Sequence, residues 1–263
     1  MSTVSATIEA AKAEGRAALV GYLPAGYPTV PASVDLINGM IDGGCDLVEI
    51  GIPYSDPVID GPVIQAAATT ALSAGFRLRD LFTVVEQVSA AGGKAVVMTY
   101  WNPVFHYGVD RFARDLAAAG GLGLITPDLV PDEGADWLAA SEATGLDRIF
   151  LVAPSSTEER IAMTTAASSG FVYATAVMGV TGARDAVGAD AAGLVARTRA
   201  HTSLPVGVGL GVRSGDQAAE VAGFADAVIV GSAFVSRAGE SVAAVRTLAE
   251  ELADGVRRPL VTS

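Results

Sequence analysis

The sequence predicts an α/β fold closed into a (β/α)8 TIM barrel, with an extra N-terminal helix and an extra helix after the second strand. Three observations carry that expectation. Eight short apolar, β-branched runs recur along 263 residues, a length suited to one such barrel. Their hydrophobicity is continuous, as in strands covered on both faces. The stretches between them read as helices that begin near Asp, Ser or Pro, and several end in Gly, a common helix terminator.

The strands are expected at 17–23, 47–51, 95–100, 122–125, 148–152, 172–176, 205–209 and 227–230. Segments such as VPASVDLINGMIDGG, LRDLFTVVEQVSAAGG and SVAAVRTLAEELADG supply helices between and after them. Residues 2–15 are expected to form a helix that plugs the bottom of the barrel. A doubly wound open sheet is the competing architecture, but evenly spaced units favour closure. One interval is nearly twice the others. It holds the loop IPYSDPVIDGP and an extra helix, PVIQAAATTALSAG, between the second and third strands. Long loops after strands lie on the face where these barrels place their chemistry. No linker or low-complexity tract divides the chain, so residues 1–263 are read as one domain.

Composition narrows the function. Apolar residues make up 51% and charged residues 17%, enough for a large core. A net charge of −12 argues against nucleic acid or an anionic membrane as partner. Cys45 is the single cysteine, which excludes an internal disulfide and fits a reducing compartment. The first residues lack the pattern of a signal peptide, and apolar runs of roughly seven residues fall short of a membrane span. A cytoplasmic protein is expected.

Residue type then eliminates chemistries. A Schiff-base aldolase needs a lysine on the top face. Lys12 precedes the first strand and Lys94 opens the third at its opposite end. A metal site needs clustered ligands, yet the only histidines are His106, after strand three, and His201, before strand seven. Carboxylates, hydroxyls and backbone remain.

Three constellations use them. Glu49 interrupts an apolar strand, where an ionised carboxylate costs several kcal/mol unless compensated, and Asp60 follows in the long loop. Two carboxyls in different surroundings suit general acid/base work. The competing reading makes Glu49 a structural acid and Asp60 a turn residue. The second constellation is a phosphate cradle: Gly209–Val212 with Ser214 after strand seven, and Gly231 with Ser232 after strand eight. The third, MGVTGARDAVGAD at 178–190, has the small residues of a mobile lid whose closure would bring Thr181 to a carboxylate. An ordinary surface loop explains it equally well.

The stretch LVEIGIPYSDPVIDGPVIQ resembles the signature of the tryptophan synthase α-subunit family, and GYLPAGYP, MTYWNP, GVTGAR, GLGV and VGSAFV extend the likeness along most of the chain. The resemblance implies cleavage of indole-3-glycerol phosphate to indole and glyceraldehyde 3-phosphate. It implies Glu49 as acid/base and Asp60 as partner of the indole N–H. Tyr22, Tyr100 and Thr181 match pocket or orienting positions, and the backbone around Gly182, Gly211, Gly231 and Ser232 would meet the phosphate. A pyridoxal-phosphate β subunit is the implied partner, in an α2β2 assembly, with no cofactor in this chain. Asp56, Pro57 and Asn102 match loops facing it. The sequence departs from the family in Ala-Val-Met at 176–178, where many members carry arginine, and in the bulky Ile59. A free-standing indole-releasing lyase and a catalytically silent barrel that activates a partner are the alternatives.

Overall fold

The structure, a computed structural model, describes residues 2–176 and 184–258. Nine parallel strands form one sheet: β1 Ala18–Pro24, β2 Leu47–Gly51, β3 Ala95–Met98, β4 Gly123–Ile125, β5 Asp147–Ile149, β6 Leu151–Val152, β7 Val172–Thr175, β8 Val206–Gly209 and β9 Ala227–Val230. Their order is β5-β4-β3-β2-β1-β9-β8-β7-β6. The two ends of that order, β5 and β6, are neighbours in the chain, so the barrel closes through Phe150. The single strand expected at 148–152 is therefore two short ladders. Asp147–Ile149 pair with β4, and Leu151–Val152 pair with β7. Tilted strands in a barrel are staggered, so a short strand meets its two neighbours over different residues. The Phe150 carbonyl still accepts the Tyr173 amide at 3.1 Å, which keeps the closure bonded.

The third strand also ends earlier than expected, at Met98. Tyr100 caps a helix at Trp101–Tyr107, a stretch read from sequence as a loop. Pro103 lies in its first turn, where no helical hydrogen bond is lost. The extra helix after β2 is present at Pro62–Ser73.

Strand alternation decides which side chains enter the barrel. In β2, Val48 and Ile50 pack outward against the helices, while Leu47 belongs to the interior cluster. Glu49 and Gly51 share the face of Leu47. By the same parity Ala18, Val20 and Tyr22 of β1 face inward, as do Ala227 and Ile229 of β9. Tyr173 of β7 packs against the same interior cluster.

The bottom of the barrel is closed as expected. A helix at Thr3–Ala13, capped by Ser2, buries Val4, Ile8 and Ala11 against Ala18, Val20, Leu47, Val96, Ile125 and Phe171. Arg16 then grips Asp46 through two bonds of 2.7 and 2.8 Å, and Asp46 also accepts the Leu19 amide. The hydrophobic plug removes solvent from one end, so the site at the other end has a dry floor. Ile8→Ala is expected to lower the unfolding free energy by about 2–5 kcal/mol, which denaturant titration measures.

Candidate active site

Glu49 sits at the centre of β2 with 1% of its surface exposed. Its ladder partner on β1 is Tyr22. The Oε2 atom is buried and has no hydrogen-bond partner among the described residues. Burial, reinforced by the negative charge of Asp60, raises its pKa from 4.5 to about 8. At neutral pH the group therefore holds its proton, which is the form a general acid requires.

Asp60 ends the loop that follows β2 and is partly buried. Burial raises its pKa, and hydrogen bonding to Tyr100 opposes that rise by favouring the anion. The two carboxyls thus differ in kind. One is held neutral in a dry wall, and the other keeps a polar neighbour that stabilises its charge.

A buried tyrosine, Tyr22, and a half-buried one, Tyr173, complete the chamber. Burial raises the Tyr22 phenol well above its usual pKa, followed by the charges of Asp60 and Glu49. Tyr173 is raised in the same way by burial and by Glu49. Each ring depends on a glycine. A Cβ on Gly51 would come within 2.6 Å of a Tyr22 ring carbon, and one on Gly209 within 2.5 Å of the Tyr173 hydroxyl. These are contacts that real Cβ atoms do not make, so the glycines exist to admit the rings.

Tyr173 was not singled out in the sequence. Its signal there is a lone hydroxyl-bearing aromatic in the run FVYATA, which carries no chemistry until the barrel closes. Tyr100 lies at the mouth, and its hydroxyl accepts the amides of Val58 and Ile59, each at 3.0 Å.

The glycine-rich loops after β8 and β9 border one cavity through Arg213 and Ser232. Gly211 has φ +68, a left-handed conformation that favours glycine, and open space above it. A cavity of about 550 Å³ is lined by Gly61, Pro62, Arg213, Ser232 and Ala233. Arg213 is a second residue that sequence reasoning missed, and it has no ion-pair partner among the described residues. Gly231 borders Tyr22 and Ile64 at the edge of the chamber. Thr181 and Gly182 lie outside the described residues, as do residues 178–183 of the segment read as a lid; its remainder, from Arg184, opens the helix Arg184–Arg199.

The loops expected to face a partner are exposed. Asp56 and Asn102 are open to solvent and Pro57 is half-buried. Asn102 donates to the Tyr54 hydroxyl at 3.1 Å, tying the loop after β2 to the helix after β3. Among the described residues no group of three or more His, Cys, Asp or Glu could hold a metal ion. No described helix is long and apolar enough to cross a membrane.

The protein-family model for the tryptophan synthase alpha chain matches residues 8–258. The chain belongs to the tryptophan synthase alpha chain family. The tryptophan synthase alpha chain of Nocardia farcinica is 63% identical over 262 residues, covering all of this chain and 98% of the relative. That of Mycobacterium marinum is also 63% identical, over 98% of this chain and 96% of the relative. A solved tryptophan synthase structure from Mycobacterium tuberculosis superposes with a TM-score of 0.93 at 59% identity, covering 98% of this chain and 99% of that one. As an alpha chain of tryptophan synthase the protein is a carbon–carbon lyase of tryptophan biosynthesis. It cleaves indole-3-glycerol phosphate to indole and glyceraldehyde 3-phosphate.

The raised pKa of Glu49 has a thermodynamic sign. Between about 4.5 and about 8 the folded chain binds a proton that the unfolded chain has released. Stability therefore falls as pH rises through that window. Glu49→Gln removes this dependence, so its melting temperature relative to the native chain is expected to climb from pH 5 to pH 8 and then level off. Calorimetry of both proteins across that range measures it.

Proposed function

We propose that Glu49 carries the protons of the cleavage and that Asp60 stabilises the indole nitrogen. The bond to be broken joins indole C3 to a hydroxylated carbon, and leaving as a bare carbanion is prohibitive. Glu49, neutral at working pH, donates its proton to C3 and generates an indolenine with positive charge at nitrogen. The resulting carboxylate takes the proton of the side-chain hydroxyl as the C3–carbon bond opens. The bond electrons return to the ring, the aldehyde forms, and Glu49 is protonated again. Proton count is conserved within one side chain. The observation that carries this reading is the burial of a proton-holding carboxyl on a rigid strand beside a second, better solvated one.

Asp60 accepts the ring N–H, and that bond strengthens as charge grows in the transition state. Tyr22 and Tyr173 form apolar walls for the ring. The phosphate lies against the loops at Gly211, Gly231 and Ser232, with Arg213 as the nearby cation. Thr181 and Gly182 complete the site from the segment after β7. The chemistry needs no cofactor in this chain.

The partner is a β subunit, and the assembly is α2β2 in the cytoplasm. Support comes from the exposed apolar side chains Val58, 80% exposed, Ile59, and Phe105, 63% exposed. They lie on the two segments joined by the Asn102–Tyr54 bond, beside Asp56 and Pro57. Apolar side chains grouped at a polar rim suit an interface. The whole chain acts as one domain.

Glu49→Gln is expected to reduce turnover by roughly 10²–10⁴-fold while substrate still binds; activity within threefold of the native rate rejects the assignment. Asp60→Asn is expected to lower kcat strongly as well, and unchanged kinetics would remove its role. Arg213→Ala should raise KM for the phosphate substrate roughly tenfold with little change in kcat, the pattern of a uniform binding contact. An unaltered KM would place the phosphate elsewhere.

A further inference from the structure

The end of the barrel opposite the active site carries a cavity of about 310 Å³, bordered by Ala17 just before β1 and Asp226 just before β9. Among the described residues, four cations line it, Lys12, Arg16, Arg199 and Arg258, against the single carboxylate of Asp226. They come from four parts of the chain: the helix Thr3–Ala13, the turn into β1, the last residue of the helix Arg184–Arg199, and the stretch after the helix Val242–Val256. The chain has 17 cations and a net charge of −12, so four of them around one carboxylate reverse the sign locally.

Helix ends alone do not account for this. Cations often sit at helix C-termini, where they meet the last carbonyls. A second cavity at the same end, of about 330 Å³, is also bordered by helix ends, yet there Arg16 and Lys94 face Glu14 and Asp46 and the charge balances. Arg16 borders both cavities and is fixed by Asp46 at 2.7 and 2.8 Å. The surplus lies with the other three. Asp226 is 7% exposed, and its carboxylate is shared by Arg199 at 3.0 Å, Lys12 at 3.3 Å and the Val206 amide at 2.9 Å. One negative charge thus answers two cations, and the only other carboxylate near Lys12 is Glu9, at 4.0 Å, among the described residues. Arg258 pairs with the exposed Asp216 at 2.6 Å. Exposed pairs of this kind are worth little, so Arg258 is available to a stronger anion.

We propose that this cavity binds a compact polyanion of the diphosphate class, held by Lys12, Arg199 and Arg258, with the buried Asp226 orienting the first two. Guanidinium groups present paired N–H donors that match phosphate oxygens, and lysine adds a point charge. Two linked phosphates reach cations contributed by separate elements, and the volume admits them with a few ordered waters. The site is distinct from the cradle at Gly211, Gly231 and Ser232, which lies beyond the opposite ends of the strands.

Calorimetric titration of inorganic pyrophosphate into the full chain at low salt tests the assignment, with glycerol phosphate present to fill the cradle. One saturable site is expected, weakening as salt rises, with orthophosphate roughly tenfold weaker because it carries less charge and fewer acceptors. Lys12→Gln combined with Arg199→Gln should weaken pyrophosphate roughly tenfold or more. Arg258→Gln, at a half-exposed side chain, should weaken it several-fold and serves if the double variant fails to fold. In the native chain pyrophosphate should slow amide exchange across residues 222–226. ADP binding as tightly as pyrophosphate marks a nucleotide's diphosphate as the source, and much weaker ADP marks the free anion. No saturation at millimolar pyrophosphate, native affinity in either variant, or loss of binding when glycerol phosphate is present overturns the site, and orthophosphate binding as tightly overturns the diphosphate class.

Discussion

The structure turns on the cost of placing one ionisable group inside a barrel. A carboxylate on the inner face of β2 is denied water from below by the N-terminal plug and from the sides by neighbouring strands. The chain meets this cost by keeping the group protonated, as its raised pKa of about 8 records. A neutral, buried carboxyl is a poor contributor to stability and a good proton donor. The same desolvation that penalises the fold supplies the reactivity.

The remainder of the site follows from that choice. In the proposed mechanism Glu49 alternates between acid and base, so the growing positive charge on the heterocycle needs a separate, permanent counter-charge. Asp60 suits that proposed role because it sits on a loop with a polar neighbour, not on a strand. The two carboxyls divide between rigid and adjustable parts of the molecule. Proton transfer demands fixed geometry, and the barrel wall gives it. Charge stabilisation tolerates a loop, provided something anchors the loop, and that task falls to the side chain capping the helix after β3. On the reading proposed above, the docking surface and the chemistry share a segment of about ten residues (52–61).

Much of this was readable in the amino-acid order. Continuous β-branched runs located all eight barrel strands to within about two residues, because strands buried on both faces leave an unambiguous apolar trace. Glu49 stood out because acids are rare in such runs, and the doubled interval after β2 marked the functional loop. What escaped notice depends on closure. The break at Phe150 reflects barrel stagger, a property of neighbouring strands and not of residues 148–152. The helix at Trp101–Tyr107 was hidden by Asn102 and Pro103, which signal a turn unless they occupy a first helical turn. Tyr173 and Arg213 are ordinary residues for their local sequence. Their meaning arises from Gly209 making room for the one and from Ser232 lying across a cavity from the other.

The contact between Tyr22 and Gly51 has an evolutionary corollary. Since the aromatic ring fills the volume that any side chain on the neighbouring strand would occupy, the two positions are epistatic. Bulk introduced at Gly51 becomes tolerable only after Tyr22 shrinks, and the exchange conserves total volume while tilting the wall that the heterocycle lies against. Paired substitutions of this kind offer a route to reshaping selectivity among substituted indoles while leaving Glu49, two residues before Gly51 on the same strand, in place.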